Sequence, residues 1–410
     1  EMTKVIRQTI NELAVKVATE ANRQLDEIVE VTFVGNPIMH HLLLGINPLE
    51  LGGAPFALAT DESVRIRARD LKLNLHTNTR CYVLPCIAGH VGADTAGMIL
   101  SEAPYKREAI TLLVDIGTNA EIVLGNKNRL VSASSPTGPA FEGAQITCGQ
   151  RAAPGAIERV RINKNTLEPK FKVIGCDLWS NEIGFSKYTK KIGITGICGS
   201  GIIEAIAEMY LTKIVTQDGV INGSLAEKSE RIFKEGRTFS YILYDGEQKI
   251  HISQNDVRAI QLAKAALYAG IRLLMERMDI ESVDRIRLAG AFGNYVEPKF
   301  AMILGMIPDC NLKHVSSAGN AAGTGARIAL LNHESRNEIE EIVRQVEKVE
   351  TAVESNFQQH FVNAMAFPNK IDKFPNLAKE AELPSDNMSY NTSGIAARAT
   401  IRRRRKKSNH

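Results

Sequence analysis

Apolar residues along the chain follow two different spacings, and the changes between them predict its elements. Short apolar runs typical of buried strands occur within residues 28–37, 81–101, 112–125 and 283–296. Helical spacing predicts amphipathic helices at residues 4–24 and at about 256–278. Ser253 and Asp256 have the spacing of a capping box at the start of the second helix. Strands and helices therefore succeed each other in the manner of an α/β protein.

The C-terminal part of the sequence has a different pattern. Residues 336–364 predict a charged amphipathic helix. From about residue 369 onward, Pro, Asn, Ser and a basic run predict a disordered tail. That run, Arg402 to Lys407, is read as a solvated tail or as a nuclear or nucleic-acid patch.

Several predicted strands end in turns that combine Gly with Ser, Thr or Asn. Glycine lets a backbone approach a phosphate closely, and exposed N–H groups at a turn or helix N-terminus bind its oxygens. These turns supply the following candidate ligand-binding residues: Gly117, Thr118, Asn119, Gly196, Gly199, Ser200, Gly201, Gly290, Ala291, Gly293, Asn294, Asn320 and Gly323. The sequence contains neither a P-loop nor a dinucleotide-binding fingerprint, which disfavours both of those nucleotide sites.

The hairpin "LLVDIGTNAEIVLG" adds two carboxylates, Asp115 and Glu121. A carboxylate next to a phosphate needs a cation between them, so Asp115 is assigned to Mg²⁺, through water. The alternative is a structural Asp115 that accepts hydrogen bonds from the turn. The turn at residues 196–201 is equally open to a packing role, and residues 319–325 can either close a site or only pack.

Composition and charge narrow the class of protein. Hydrophobic residues make up 44% and charged residues 23%, which is ordinary for a globular chain. The net charge is +4, and the basic run supplies six positive charges, so the rest of the chain is at about −2. We therefore expect no specific nucleic-acid partner.

Six cysteines without a C-x-x-C pair indicate free thiols in a reducing cytoplasm and argue against an iron–sulfur cluster in this chain. No signal peptide or membrane span is apparent in the sequence. We therefore expect a cytoplasmic protein with no membrane partner.

Longer strings resemble a known family. The hairpin, "IRLAGAFGNYV" and "GNAAGTGARIALL" resemble the second phosphate, adenosine and second connecting motifs of the acetate and sugar kinase/heat-shock/actin (ASKHA) ATPase superfamily. "CIAGHVGADTAGMIL" looks like its first connecting motif. Over residues 1–368, five strings are similar to those of ATP-dependent reductive activators of corrinoid proteins: "VGNPIMHHLLLGI", "SSPTGPAFEGA", "RAAPGAI", "GICGSGI" and "LAGAFGNY".

The resemblance implies an actin-like, two-lobed fold with ribonuclease H-like sheets and an incomplete first lobe. The expected divisions are a partial first lobe at 1–109, a nucleotide-binding second lobe at 110–335, a helical segment at 336–368 and the tail at 369–410. The resemblance also implies a role for each residue of the hairpin: Asp115 organises Mg²⁺, Gly117–Asn119 hold ATP phosphates, and Glu121 positions the attacking water. Gly290, Ala291, Gly293 and Asn294 line the adenosine side.

The implied function is the ATPase portion of an activator that returns Co(II) corrinoid protein to Co(I). It uses ATP and a low-potential electron from an iron–sulfur domain. The implied partners are a corrinoid protein of a methyltransferase system and a low-potential electron donor, and a homodimer is an open option.

The chain departs from the family pattern in two ways. Family members usually start with a ferredoxin-like domain that holds a [2Fe–2S] cluster, and the superfamily has an earlier Asp-x-Gly-Thr hairpin. Neither is found before residue 110, so we expect both on upstream sequence. Three alternatives stay open. Residues 112–125 are the working hairpin of a self-contained ATPase, the chain is a small-molecule kinase on the same fold, or it is a non-catalytic corrinoid-protein-binding module.

Overall fold

The computed structural model describes residues 1–53, 56–293 and 295–384. The helices are α1 Met2–Glu20, α2 Pro37–Leu44, α3 Ala93–Glu102, α4 Phe185–Ile192, α5 Gly199–Leu211, α6 Gln254–Arg277, α7 Gly290–Gly293, α8 Pro298–Ile303, α9 Ala321–Leu331, α10 His333–Val343, α11 Phe357–Asn363 and α12 Leu377–Glu380. The strands are β1 Glu30–Phe33, β2 Val64–Arg67, β3 Arg80–Val83, β4 Thr111–Ile116, β5 Ala120–Asn126, β6 Arg129–Ser135, β7 Ala156–Ile162, β8 Pro169–Val173, β9 Gly196–Ile197, β10 Ile232–Glu235, β11 Thr238–Tyr244, β12 Ile250–Ile252, β13 Arg285–Ala289, β14 Val315–Gly319 and β15 Glu347–Lys348.

A six-stranded sheet with the order β14-β13-β4-β5-β6-β15 forms the centre of the molecule. Strands β4, β5 and β6 are antiparallel neighbours, whereas β13 and β14 run parallel to β4. The strands β4 and β5 are apolar on both faces because both faces are covered. The predicted hairpin is thus confirmed as the middle of this sheet.

Helix α6 covers one face of the sheet, and its capping box at Ser253 and Asp256 is confirmed. The neighbouring residues Leu112, Val114 and Ile122 belong to the core beneath α6. Its start at Gln254 and end at Arg277 agree closely with the predicted helix.

Helices α3 and α9 cover the other face, where they approach each other closely. A Cβ on Gly325 would lie 2.0 Å from the carbonyl oxygen of Gly97, so the two backbones touch through glycine. At the far end of α3, Glu102 accepts two hydrogen bonds from Arg287 of β13, at 2.7 and 3.0 Å. These contacts fix the position of α3 over the sheet.

A smaller sheet, β1-β3-β2, is formed by the first hundred residues and is followed directly by α3. Its apolar side shares a core with Leu43 of α2. Asn36 caps α2, since its Oδ1 accepts a hydrogen bond from the N–H of Met39 at 2.9 Å. The turn before α2 thereby presents the Gly35 carbonyl to the start of α3, where the Asp94 N–H donates to it.

The predicted helical segment at 336–368 is wrong as a single element. Helix α10 ends at Val343, β15 then joins the edge of the main sheet beside β6, and a separate α11 follows. Pairing of Glu347 and Lys348 with β6 satisfies their backbone groups outside a helix.

The predicted disorder from residue 369 is also wrong for residues 369–384. The Tyr268 hydroxyl of α6 donates a hydrogen bond to the Asp372 carboxylate at 2.8 Å. The Asp309 carboxylate accepts from the backbone N–H groups of Asn376 and Leu377, and Leu377 is buried. These tertiary contacts order a segment whose own composition resembles a linker.

Candidate functional site

Two carboxylates lie opposite each other at the tip of the β4–β5 hairpin. Asp115 pairs in register with Glu121, so both side chains project from the same face of the sheet. That face is the one covered by α3 and α9, because Leu113 and Val123, two residues farther along each strand, belong to the core there. The hairpin thus directs two acids towards the start of α3.

A third carboxylate, Asp94 in the first turn of α3, approaches this pair. Gly92 lets the start of α3 pack closely against the turn before α2, because a Cβ there would lie 2.7 Å from both the Asn36 Cα and the Gly35 carbonyl oxygen. Asp94 was not among the sequence candidates. An acid in the first turn of a small-residue helix was the available signal, but its convergence with the hairpin depends on tertiary packing.

Burial raises the pKa of all three acids, and charge repulsion from neighbouring acids adds to the effect at Asp115 and Glu121. Burial, and then the charge of Asp94, raise the pKa of Asp115 to about 6. Burial, followed by Asp94 and Asp115, raises the pKa of Glu121 to about 9. Burial also raises the pKa of Asp94.

Neither Asp115 nor Glu121 accepts a side-chain hydrogen bond from another residue in the described part of the chain. The alternative in which turn N–H groups satisfy Asp115 is therefore not seen in these ranges. Half-buried carboxylates without donors from other residues favour a bound cation or protonation. A cation with oxygen ligands is thus the chemistry that this cluster can support.

The predicted adenosine turn begins directly beside Asp115. Parallel pairing of β13 with β4 sets Ala289 opposite Asp115. Gly290 has a φ of +81°, and a Cβ there would lie 2.2 Å from Asp115 Oδ1. Only glycine lets the backbone pass this close to the acid.

The rest of that turn is a single helical turn, Gly290–Gly293, and not the expected open strand end. A Cβ on Gly293 would lie 2.9 Å from the Leu288 carbonyl carbon, so Gly293 packs against the end of β13. Asn294 lies outside the described residues. A role for Ala291 and these glycines in binding adenosine stays a prediction.

A second loop, whose residues were not among the sequence candidates, stabilises the hairpin turn by hydrogen bonds. Thr137 Oγ1 donates to the carbonyls of Gly117 and Thr118 at 2.8 and 3.0 Å. The Thr118 hydroxyl donates to Glu142 Oε1 at 2.9 Å. Thr118 and Asn119 are exposed, so a ligand can reach the turn.

The turn at Gly196–Gly201 is filled by close packing. A Cβ on Gly201 would lie 2.3 Å from the Ile157 carbonyl oxygen, and one on Gly196 would lie 2.5 Å from Gln150 Oε1. Ser200 is buried, with its Oγ 3.4 Å from the Cys198 sulfur. Gly199 begins α5, and the arrangement favours the packing alternative over a ligand role for this turn.

Asn320 and Gly323 form a helix cap. The Asn320 Oδ1 accepts a hydrogen bond from the Gly323 N–H at 2.8 Å, and a Cβ on Gly323 would lie 2.6 Å from Asn320 Nδ2. Glycine is needed here because the Asn side chain folds back over the first turn of α9. A ligand role for this pair stays a prediction.

The described residues include neither a preformed metal site nor a membrane-spanning helix. In these ranges no group of three or more His, Cys, Asp or Glu side chains is arranged to hold a metal ion. Across residues 1–53, 56–293 and 295–384, no helix has the length and apolar character needed to cross a membrane.

Comparisons with known proteins identify both parts of the chain. The family model for the RACo middle region matches residues 1–106, and that for the C-terminal domain of RACo, the ASKHA domain, matches residues 109–378. The corrinoid activation enzyme RamQ of Eubacterium limosum is 33% identical over 90% of this chain and 61% of its own length. The [Co(II) methylated amine-specific corrinoid protein] reductase of Methanosarcina barkeri is 26% identical over 83% of this chain and 63% of its own length.

A solved structure named "Reductive activator for corrinoid, iron-sulfur protein" has a TM-score of 0.76 and 33% identity. The match covers 90% of this chain and 57% of that one. The chain therefore spans about three fifths of the length of these relatives.

Proposed function

The chain belongs to the RACo family, and we propose that it is the ATPase portion of an activator that returns Co(II) corrinoid protein to Co(I). Its actin-like ASKHA domain supports nucleotide binding. The observation that carries the proposal is the group of Asp94, Asp115 and Glu121 beside an accessible turn, in which neither Asp115 nor Glu121 accepts a hydrogen bond from another described residue.

Mg²⁺ and ATP fit this group of residues. Mg²⁺ prefers oxygen ligands and usually keeps several waters while one or two carboxylates and substrate phosphates hold it. The described residues contain no group of three or more His, Cys, Asp or Glu side chains arranged to hold a metal ion, so the proposed cation would need phosphate and water oxygens as its other ligands. Bound Mg²⁺ would neutralise phosphate charge at the cleavable bond.

The chain's own residues have separate tasks in this proposal. Asp115 orients the hydrated cation, and the backbone of Gly117–Asn119 binds phosphate oxygens at the exposed turn. Glu121 orients the attacking water and accepts its proton once its carboxyl is ionised. Because the pKa of Glu121 is about 9 in the free protein, a cation must lower that pKa before Glu121 can act as a base near neutral pH.

The remaining parts of the proposal concern partners and location. The corrinoid protein is the partner. ATP binding and hydrolysis close the nucleotide site, and this closure biases the complex between the chain and the corrinoid protein. The low-potential electron comes from a donor by way of a [2Fe–2S] domain on sequence upstream of this chain. We propose a cytoplasmic location, which the six free cysteines support.

Asp115→Asn tests the site assignment. We expect Mg²⁺-dependent ATPase activity to fall about 100-fold, because the variant keeps the shape but loses the charge that orients the cation. The melting temperature should not fall, since one buried acid is removed. Steady-state kinetics and thermal melts measure both, with Asp26→Asn at an exposed position as the control.

Unchanged ATPase activity in Asp115→Asn would refute the assignment. Wild-type activity that appears only when a sugar or acid substrate is added would favour a small-molecule kinase. Capture of Co(II) corrinoid protein without measurable ATP binding would favour a non-catalytic binding module.

A further inference from the structure

The outer face of the β7–β8 hairpin carries four cations in two cross-strand pairs. Arg159 lies opposite Lys172, and Arg161 lies opposite Lys170. Like charges that face each other across strands destabilise a sheet unless other groups compensate them. The four cations therefore require compensating partners, and these differ between the two arginines and the two lysines.

The arginines are neutralised within the protein. Glu204, which is buried, accepts from Arg159 and Arg161 at 2.6 Å each. The Arg161 guanidinium also pairs with Glu297 at 3.0 Å. This half of the face is therefore explained by the fold.

The lysines instead surround the single tryptophan of the chain. Lys170 Nζ and Lys172 Nζ lie 5.1 and 5.4 Å from the centre of the Trp179 ring, and the described residues contain no ion pair to either lysine. Ser180 exchanges hydrogen bonds with Phe171, which sets Trp179 on the same side as both lysines. Arg161 Cζ also lies 5.8 Å from the centre of this ring, and Trp179 remains half-buried, so part of its side chain is accessible to a partner.

The segment after Trp179 adds further exposed apolar side chains and lysines. Ile183 and Tyr188 are exposed, and α4 adds the exposed lysines Lys187, Lys190 and Lys191. Among the described residues, no ion pair joins these three lysines to an acid. We call Lys170, Lys172, Trp179, Ile183 and Tyr188 the Trp179 surface.

The composition of the Trp179 surface favours a protein partner. Aromatic anchors with exposed apolar neighbours are typical of protein interfaces. The carboxylates of Asp177 and Glu182 lie on the same segment and would repel a phosphate backbone. With Lys187, Lys190 and Lys191 of the adjacent α4 counted, five lysines stand against these two acids, which favours an acidic surface on the partner.

We propose that the Trp179 surface is the docking site for the corrinoid protein, which would present an acidic surface to it. This inference rests on the proposed function for the identity of the partner, whereas the charge and the exposed side chains come from this chain alone. The lysines steer the encounter and Trp179 forms the central contact.

The test compares Lys170→Glu/Lys172→Glu with Lys228→Glu/Lys234→Glu, a control with the same change of net charge at two exposed lysines elsewhere. The full chain is immobilised, and Co(II) corrinoid proteins from methylamine, methoxy-compound and acetogenic systems are passed over it at low and high salt. We expect the first variant to bind the wild-type partner about tenfold more weakly at low salt, and the control to bind within about twofold of wild type. Trp179→Ala should also weaken binding, with little change in salt dependence, and thermal melts verify folding.

Equal binding by the wild type and by both Trp179-surface variants would overturn the docking site while leaving the proposed function in place. A loss of oligonucleotide binding in Lys170→Glu/Lys172→Glu, with corrinoid-protein binding unchanged, would overturn it in favour of a nucleic-acid surface. A wild-type chain that captures none of the corrinoid proteins would overturn the proposed function and the docking site together.

Discussion

The hairpin tip and the turn at Gly196–Gly201 share one sequence plan but have opposite environments. Both follow a strand and combine Gly with a small hydroxyl residue. At Gly196–Gly201, the backbone of β7 and the Gln150 side chain fill the space in front of the glycines. At the hairpin tip, the half-buried Asp115 and Glu121 lie beside an exposed turn and accept no hydrogen bonds from other described residues.

The difference teaches what a glycine-rich turn needs in order to be a ligand site. Glycine is required at Gly196 and Gly201, and at Gly290 next to the hairpin tip, because another backbone or side chain comes within 2.5 Å of each missing Cβ. What distinguishes Gly290 is that its near neighbour is a carboxylate, Asp115, and not a carbonyl or amide of the packed interior. Uncompensated charge, more than glycine content, therefore marks the functional turn.

The largest expected effect comes from removing that charge at Glu121. Glu121→Gln should lower the rate of ATP hydrolysis by about 100-fold with little change in KM, because a base is lost and the phosphate contacts are kept. In the wild type we expect the rate to rise between pH 6 and pH 9 as the Glu121 carboxyl ionises, and this rise should disappear in the variant. Steady-state rates across pH measure both.

Stability gives an independent reading of the same residue. The pKa of Glu121 is raised to about 9 in the folded state from about 4.5 when unfolded, so the unfolded state binds fewer protons between these values. The contribution of Glu121 to the free energy of unfolding therefore falls as the pH rises through that window. Glu121→Gln should melt higher than the wild type at pH 8 and no higher at pH 4, and a variant that melts lower at pH 8 would contradict the assigned environment.

The second expected effect separates the two regions directly. Gly201→Ala places a Cβ 2.3 Å from the Ile157 carbonyl oxygen, so α5 and β7 must separate at a cost of about 1–3 kcal/mol. Gly290→Ala combines a similar clash, 2.2 Å from Asp115 Oδ1, with a φ of +81°, which is strained for alanine. Both variants should melt several degrees lower, but only Gly290→Ala should lose ATPase activity per folded molecule, by about tenfold or more.

Chemical denaturation and ATPase assays at a temperature where both variants are folded measure this contrast. If Gly201→Ala loses ATPase activity as severely as Gly290→Ala, the turn at Gly196–Gly201 belongs to the nucleotide site after all. The comparison between filled and open turns would then be wrong.

Local signals in the sequence predicted the elements that depend on neighbouring residues. The hairpin and α6 were predicted because strand runs and the Ser253–Asp256 capping box are visible over a few positions. Ordering of residues 369–384 was missed because it depends on Tyr268 and Asp309, which are distant in sequence. The single predicted helix after residue 336 failed for the same reason, since β15 pairs with the much earlier β6.

The candidate site was predicted in part. Asp115 and Gly290 were both candidates, and the parallel register of β13 with β4 brings them together. Asp94 was missed because only the packing of α3 across the sheet directs it to the hairpin. No periodicity along one strand or helix carries that information.

The smallest expected effect concerns Asn320, where cap and ligand roles can be separated by one pair of substitutions. Asn320→Ala removes the acceptor for the Gly323 N–H and should cost about 1 kcal/mol of folding stability. Asn320→Ser keeps a cap oxygen and should retain most of that stability, but it lacks the amide donors that a phosphate or ribose could use. If Asn320 is only a cap, as the filled turns suggest, both variants bind ATP in calorimetry as tightly as the wild type. Weaker ATP binding in Asn320→Ser, at unchanged stability, would instead make Asn320 a ligand and extend the open site from the hairpin tip to the start of α9.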